Sequence, residues 1–360
     1  MKKKKVLILF NHFQVQDGVA RTAIGLANEL AKRPDLEVTM QSLFLFDTGM
    51  KSWLDPQVRV KKTLGFYFRG LAKLVDLIPD KWLYRMVVRE RYDVEIGFCM
   101  TLPIQIIAAS GNRDARHYAW IHGYDTGLTL LESYRKMDRV FAVSRCNAER
   151  FARETEGKIP AYCCYNLVDD KKVRAMGAQT APVEKEDVPT FVAVGRLEPG
   201  KGIMRLIECF GRLTREGYDF RLWLIGDGGE RKSLETRAAE LGVADKVLFL
   251  GAQSNPHAIT AKADALVCAS YSEGYSTVCV EAIQLGVPVL TTEVSGAREI
   301  IADAQAGMVV GQEDQELYAG LKSVLDDPEQ LIRWRQTLEQ TKDVFAYANR
   351  AAAMIKVLDI

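Results

Sequence analysis

Short apolar runs alternate with amphipathic helical patterns along most of the chain, and this alternation restricts the fold more than any other feature. Strands that alternate with helices pair in parallel and are covered by those helices. We therefore predict an α/β fold made of doubly wound, Rossmann-like sheets. The predicted strands are residues 6–10, 36–45, 94–98, 118–121, 139–143, 190–194, 220–225, 247–250, 265–268 and 288–291. The predicted helices cover 19–32, 203–216 and 229–241, and begin near residues 255 and 276.

A polar segment divides this alternation into two halves. Residues 169–188 contain Gly177, Pro182 and the charged run EKED at 184–187. A chain of 360 residues is also long for a single hydrophobic core. The sequence predicts an N-terminal Rossmann-like domain over 1–170, a linker over 171–188 and a C-terminal Rossmann-like domain over 189–345. A last helix within 346–360 is expected to cross back to the first domain.

Cysteine usage and the first residues favour a cytoplasmic protein. The seven cysteines are odd in number and form no Cys-x-x-Cys pair, so neither a disulfide framework nor a zinc site is expected. The apolar run at 6–10 is too short for a secretory signal, and no later run approaches the roughly 20 residues that span a bilayer. We expect a cytoplasmic location with peripheral contact at the inner face of the membrane.

The charge distribution suggests where that contact lies. Residues 1–168 carry 26 Lys and Arg against 18 Asp and Glu, whereas 169–360 carry 22 against 29, so the halves have net charges of +8 and −7. Between Lys61 and Arg91, basic residues are interleaved with aromatic ones such as Phe66 and Trp82, as in interfacial surfaces. This stretch predicts docking on an anionic membrane that presents a lipid-linked acceptor. An ordinary solvated helix is the alternative, and no nucleic-acid partner is expected.

The turn after the strand at 190–194 combines glycines with two cations. It reads GRLEPGKG at 195–202, with Arg196 and Lys201 five residues apart before a helix. In doubly wound sheets ligands bind beyond the carboxyl ends of strands, and such a turn can direct backbone amides and both charges at a diphosphate. The order differs from a Walker loop, because Gly202 follows Lys201. An exposed turn with two solvated charges is the alternative.

A second turn carries two carboxylates at the entry to a helix. It reads EGYSTVCVE at 273–281, with Glu273 before the helix and Glu281 within it. Gly274 permits close approach, Ser276 or Thr277 can cap the helix, and free amides at a helix N-terminus suit a phosphate. The carboxylates can then bind hydroxyl groups of one ligand. Alternatively, Glu281 is a buried cap partner and Glu273 a surface residue.

Together these turns resemble the family-four retaining glycosyltransferases of the GT-B fold. The matching segments are GRL…KG at 195–202, LIGDG at 224–228, VLFLG at 247–251, the Glu-x7-Glu pair and GVPVLTT at 286–292. The resemblance covers nearly the whole C-terminal half, and it implies two Rossmann-like domains that face each other across a cleft. It also implies a nucleotide-sugar donor and a glycan acceptor, as in bacterial cell-surface polysaccharide synthesis.

The resemblance assigns roles to individual residues. Arg196 and Lys201, in the turn that starts at Gly195, would hold the donor diphosphate. Glu273 would contact the donor sugar and Glu281 the ribose. The amides of the helix entry would face phosphate and sugar; these residues are Gly274, Tyr275, Ser276 and Thr277.

The N-terminal half resembles the family less closely. Gly18 is a candidate for contact with the donor or the acceptor, in a loop that corresponds to a Gly-Gly-x-x-Arg motif with Asp17 in place of the first glycine. His122, in the sequence IHG at a predicted strand end, resembles the active-site histidine of the family. It is a candidate for contact with the transferred sugar or the acceptor. A structural histidine is the alternative.

The resemblance implies hexosyl transfer with retention of the anomeric configuration, and no cofactor is expected. A UDP-sugar is the favoured donor and GDP-mannose the second. The absence of an Asp-x-Asp triplet argues against a metal ion on the diphosphate. A nucleotide-sugar-binding protein without turnover and a GT-B nucleotide-sugar epimerase remain alternatives. A glycosidase does not explain the cationic turn, and a dehydrogenase lacks Gly-x-Gly-x-x-Gly after the first strand.

Overall fold

The chain forms two compact α/β units. The computed structural model describes residues 2–12, 18–45, 47–68, 71, 75, 77–99, 102–123 and 131–360. Met1–Leu167 and Arg350–Ile360 make up the first unit, called the N-terminal unit below, and Val168–Asn349 make up the C-terminal unit. In the described part of the chain no helix combines the length and the apolar character needed to cross a membrane.

The N-terminal unit contains a parallel sheet with the order β3-β2-β1-β4-β5-β6-β7. Its central strands are mostly apolar, and Val6 to Leu9 are fully buried. Each such side chain that leaves water contributes about 1.5–3 kcal/mol. The strands are β1 (Lys4–Phe10), β2 (Leu36–Ser42), β3 (Arg59–Lys62), β4 (Val94–Phe98), β5 (Arg116–Ile121), β6 (Arg139–Ala142) and β7 (Ala161–Cys163).

Helices of the N-terminal unit supply the layers on the sheet. Leu83, Tyr84 and Val87 of one of them are buried in a cluster that also contains Phe151. Trp82 and Met86 of the same helix are exposed. The described helices are α1 (Gly18–Ala31), α2 (Asp80–Val87), α3 (Leu102–Ala108), α4 (Leu131–Tyr134) and α5 (Arg145–Glu154), with a 3-10 helix at Thr48–Trp53.

The C-terminal unit contains a second parallel sheet, with the order β10-β9-β8-β11-β12-β13. Phe191, Leu222 and Trp223 of its central strands are at most 1% exposed. The strands are β8 (Thr190–Val194), β9 (Arg221–Ile225), β10 (Val247–Gly251), β11 (Ala265–Cys268), β12 (Val289–Thr292) and β13 (Gly307–Val310).

The helices of this unit bury their apolar stripes against the second sheet. Leu206, Ile207 and Phe210 recur at helical spacing and are fully buried. The helices are α6 (Asp170–Gly177), α7 (Ile203–Arg215), α8 (Arg231–Glu240), α9 (Pro256–Thr260), α10 (Thr277–Gln284), α11 (Ala297–Ala304), α12 (Asp314–Asp326) and α13 (Glu329–Thr341), with 3-10 helices at Pro199–Lys201 and Lys342–Phe345.

Part of the segment predicted as a linker is a helix. Asp169 accepts a hydrogen bond at its side chain from the amide of Lys172 (3.0 Å), which caps α6. Asn255 donates to the carbonyl of Met176 near the end of α6 (2.9 Å). The residues of α6 therefore belong to the C-terminal unit, which starts at Val168, because a local cap and a packing partner order this polar sequence.

The last helix, α14 (Tyr347–Leu358), ends on two arginines of the N-terminal unit. Arg139 donates from Nη1 to the carbonyl of Val357 (2.7 Å) and from Nη2 to Oδ2 of Asp359 (2.8 Å). Arg116 donates to the carbonyl of Asp359. Cations near the C-terminus of a helix satisfy its last carbonyls and interact favourably with its dipole, so these contacts stabilise the end of α14.

Candidate functional site

The strand order of the C-terminal unit reverses beside β8. The chain runs from β8 outward through β9 and β10, and then crosses to β11 on the other side of β8. The carboxyl ends of parallel strands meet at one edge, and ligands bind in such sheets where the order reverses. The turns after β8 and β11 flank this position, and they are the two turns that the sequence predicted as the donor site.

The turn after β8 is held closely against the turn after β9. The amide of Gly195 donates to the carbonyl of Ile225 (2.9 Å), and the amide of Leu197 donates to the carbonyl of Asp227 (3.0 Å). A Cβ atom at Gly226 would lie 1.8 Å from the carbonyl oxygen of Gly195. Only glycine permits this approach, so the glycine-rich sequence at 226–229 supports the cationic turn.

Lys201 ends a short 3-10 turn and leads into α7. The next residue, Gly202, has a φ of +65°, and a Cβ atom there would lie 2.0 Å from the carbonyl oxygen of Ala269. The two site-bearing turns therefore touch through their main chains. Tyr271 adds a hydrogen bond from its amide to the carbonyl of Gly200 (3.0 Å).

Lys201 and Glu273 form an ion pair at this contact. The distance from Lys201 Nζ to Glu273 Oε1 is 2.6 Å. About a third of the Lys201 side chain is exposed, and the Glu273 side chain is more buried. Ser270 donates its hydroxyl to the same carboxylate oxygen (2.7 Å). Ion pairs that are partly shielded from water are screened less than surface pairs. The structure thus brings together one predicted phosphate ligand and the predicted sugar ligand.

Arg196 lies in the same turn but points to a different partner. Its Nη1 is 2.8 Å from Glu198 Oε1, and 63% of its side chain is exposed. An exposed ion pair of this kind contributes little to stability and exchanges readily. Arg196 is therefore available to an anion that arrives from solvent.

The N-terminus of α10 follows directly after Glu273. Ser276 is the N-cap residue and Thr277 the first residue of the helix. The amides of a first helical turn have no partner within the helix and attract anions. Tyr275 is 5% exposed, so its ring packs in the interior. Any contact of Gly274 and Tyr275 with a ligand would involve their main chains.

Glu281 lies one turn further along α10 and faces His257 of α9. The distance from His257 Nε2 to Glu281 Oε2 is 3.4 Å, and 19% of the Glu281 side chain is exposed. The carboxylate is thus partly accessible and has a neighbour that the sequence analysis missed. No sequence motif marked His257 as a site residue, apart from the predicted helix start at Asn255. No motif marked Ser270 either.

In the N-terminal unit, His122 follows the carboxyl end of β5. Its ring packs against Phe98 of β4, with the ring centroids 4.5 Å apart. Nε2 is shielded from solvent and has no hydrogen-bond partner among the described residues. Desolvation lowers the pKa of the imidazole to about 3, so the ring is neutral near pH 7. Gly18 is the first residue of α1, and Asp17 lies outside the described residues.

Comparison with known proteins identifies the family. A family model described as Glycosyl transferases group 1 matches residues 178–341. A Campylobacter jejuni enzyme is 34% identical over 331 residues, 86% of each chain; its name is GalNAc-alpha-(1->4)-GalNAc-alpha-(1->3)-diNAcBac-PP-undecaprenol alpha-1,4-N-acetyl-D-galactosaminyltransferase. The chain belongs to the group 1 glycosyltransferases. Against three further relatives, this group 1 glycosyltransferase spans only about half of the relative's own length, namely 52%, 44% and 47%.

Solved structures show the fold of this group 1 glycosyltransferase. Sucrose-phosphate synthase from Thermosynechococcus elongatus superposes with a TM-score of 0.76 at 17% identity, over 99% of this chain and 98% of that one. Anabaena HepE in complex with UDP gives a TM-score of 0.73 at 19% identity, over 99% of both chains. The two parallel-sheet units are those of the GT-B glycosyltransferases, as the sequence predicted.

The contact between the two turns predicts a strong effect of one glycine. Gly202→Ala places a Cβ atom against the carbonyl of Ala269 at a positive φ, so we expect a loss of about 2–3 kcal/mol in the free energy of unfolding. Urea denaturation measures it. Gly200→Ala is the matched control, because its Cβ atom would meet nothing within 4 Å. Equal stability of the two variants would contradict the close contact.

The lowered pKa of His122 predicts a pH dependence of stability. Below its ordinary pKa of 6.5 the imidazole takes up a proton in the unfolded chain, whereas in the folded protein it stays neutral to about pH 3. The part of the folding stability that depends on the neutral ring is therefore fully present above pH 6.5 and is lost progressively as the pH falls. Lowering the pH from 7 to 5 should reduce the free energy of unfolding of wild type by about 1–2 kcal/mol more than that of His122→Gln. Urea unfolding of both proteins at pH 7 and pH 5 measures this difference. Identical losses would argue against a buried neutral ring.

Proposed function

We propose that the chain is a retaining glycosyltransferase that moves a hexose-type sugar from a UDP-sugar to an acceptor hydroxyl. The observation that carries the proposal is the Lys201–Glu273 ion pair, 2.6 Å long, beside the N-terminus of α10 at the strand-order reversal. A cation, helix amides and a carboxylate in one place suit the two ends of a sugar diphosphate.

Cleavage of the donor creates charge that this arrangement can stabilise. As the bond between the sugar and the diphosphate breaks, negative charge grows on the leaving diphosphate. Lys201 and the amides that begin α10 are held in place before the reaction, so they need little reorganisation to stabilise that charge. Arg196 adds its charge from an exposed position. Loss of one such group typically lowers the rate by a factor of about 10² to 10³.

Glu273 has a different part in the proposal. A diphosphate that binds Lys201 takes the place of the contact with Glu273 Oε1, while Ser270 still donates to that oxygen. The carboxylate then accepts hydrogen bonds from hydroxyl groups of the transferred sugar. Glu281 holds the ribose in the same way, with His257 beside it.

The proposed transfer needs neither a protein base nor a metal ion. The acceptor oxygen bonds to the anomeric carbon on the face that the diphosphate leaves, and its proton passes to the departing phosphate oxygen. The anomeric configuration is then retained. Neutral His122 would contact the transferred sugar or the acceptor through one ring nitrogen, which either donates or accepts a hydrogen bond.

UDP is the favoured nucleotide and GDP-mannose the second donor to test. The complex of HepE with UDP supports the first choice, since that protein shares the fold over nearly the whole chain. The Campylobacter relative is named for an undecaprenol-diphosphate glycan, which supports a lipid-linked or cell-surface glycan precursor as the acceptor.

The donor proposal is tested by the loss of Lys201. We expect Lys201→Ala to weaken UDP binding about tenfold or more in thermal-shift titrations with UDP, GDP and ADP. UDP release from UDP-sugars in the presence of acceptor lipid should fall about 10²-fold or more. Lys246→Ala is the control, because Lys246 forms a similar ion pair with Asp219 (2.8 Å) before β10, at the opposite end of the strands.

Two results would overturn the assignment. Unchanged UDP affinity and turnover in Lys201→Ala would show that the diphosphate does not bind at this turn. Nucleotide-sugar binding without any product, or conversion of the free donor into an epimer, would favour the two alternative functions.

We also propose that the surface around α2 docks on an anionic membrane. Trp82 and Met86 of α2 are 65% and 53% exposed, and Phe66 and Phe68, which precede α2 in the chain, are about half exposed. Residues 61–91 hold eight basic and three acidic side chains. Exposed aromatic side chains enter the headgroup region, while basic ones attract anionic lipids. A lipid-linked acceptor would then be reached at the inner face of the membrane.

Vesicle binding tests this surface. We expect sedimentation with phosphatidylglycerol-containing vesicles at low salt, weaker binding at high salt, and little binding to phosphatidylcholine alone. Trp82→Ser together with Met86→Ser should reduce binding about tenfold or more. Ile332→Ser is the control, an equally exposed apolar residue of the C-terminal unit. Equal binding to both vesicle types would contradict the proposal.

A further inference from the structure

Arg205 is a buried arginine in the first turn of α7. It is 2% exposed, and the carboxylate of Asp314, at 3.9 Å from its Nη1, is itself 63% exposed. Burial of a charge is unfavourable unless hydrogen bonds compensate for the lost water. The contacts that compensate here are therefore informative about what this residue does.

Most of those contacts are with main-chain carbonyls. Nε donates to Ala269 O (2.9 Å), and Nη2 donates to Ser270 O (3.1 Å). Nη1 donates to the carbonyl of Gln312 (2.8 Å). The ring of Tyr271 covers the guanidinium at 3.8 Å. One side chain thus binds three consecutive residues after β11.

The segment that Arg205 holds carries the sugar-facing carboxylate. Ser270 donates its hydroxyl to Glu273 Oε1, so the position of the Ser270 main chain sets the orientation of that carboxylate. Thr292 also donates to the carbonyl of Ser270 (2.6 Å), which fixes the segment from β12. Arg205 therefore acts on Glu273 through Ser270.

The same side chain packs against the cationic turn. Arg205 lies four residues after Lys201, and its Nε would be 2.8 Å from a Cβ atom at Gly202. The guanidinium fills the space where the turn after β8 meets the turn after β11. The turns that carry Lys201 and Glu273 therefore both pack against this guanidinium.

We propose that Arg205 is a positioning residue of the transfer reaction, which aligns Glu273 with Lys201 through the main chain of Ala269 and Ser270. This proposal rests on the proposed function, which gives Glu273 its role in binding the sugar. The competing explanation is a purely structural arginine that stabilises the C-terminal unit as a whole.

Hydrogen exchange tests the positioning without any ligand. In Arg205→Met we expect exchange about tenfold faster or more in residues 269–276, with β9 and β10 unchanged, and partial recovery in Arg205→Lys. Arg221→Met is the control, because Arg221 also donates to a backbone carbonyl, that of Phe220 (2.9 Å), but at the start of β9. Unchanged exchange at 269–276, or uniformly faster exchange across the unit, would overturn the proposal.

A double-mutant cycle tests the coupling to Glu273. The rate of UDP release from a UDP-sugar is measured for Arg205→Met, Glu273→Gln and the double variant. If Arg205 acts through Glu273, the double variant is within about threefold of Glu273→Gln alone. Multiplied losses would overturn the proposal. If the wild-type protein releases no UDP from any UDP-sugar, the proposed function fails, and hydrogen exchange alone decides the role of Arg205.

Discussion

The parallel pairing of β8 with strands on both sides is the constraint on which the candidate site depends. Val194 pairs with Ile225 of β9, and Phe191 pairs with Ala265 of β11. All three strands therefore end at the same edge. Two turns that are about 70 residues apart in the chain meet there, and the ion pair between them follows from the register of the sheet.

Main-chain contacts set the shape of the site as much as charges do. Gly202 and Gly226 allow carbonyl groups of neighbouring turns to approach where a side chain would be excluded. Arg205 then supplies donors to carbonyls that leave the ends of strands. Rigid support of this kind is what a preorganised site requires, because groups held before the reaction need not move during it.

The sequence predicted the buried strands better than the edge strands. The predicted bounds of β4, β8 and β11 agree with the structure, because most residues of each strand are apolar and all but one of them are buried. The missed strands β3, β7 and β13 lie at sheet edges. An edge strand has one pairing partner and a partly exposed surface, so its sequence needs no continuous apolar run.

The residues of the candidate site also differ in how far the sequence predicted them. Glu273 and Lys201 were predictable, because motif spacing and strand ends identified their turns. The contacts made by Ser270, His257 and Arg205 were not. Each depends on which residue a folded sheet brings near, and the amphipathic pattern of α7 does not separate a charged residue at the core boundary from a solvated one.

The cationic turn has little uncompensated charge. Lys201 contacts the carboxylate of Glu273, and Arg196 contacts that of Glu198. An anion that approaches either cation must displace a carboxylate, so it gains only the difference between the two contacts. Under the proposed function, a simple monovalent ion would gain little by such an exchange, whereas a group with several charged oxygens would gain more. The paired turn would therefore favour ligands of high charge density over dilute, singly charged ions.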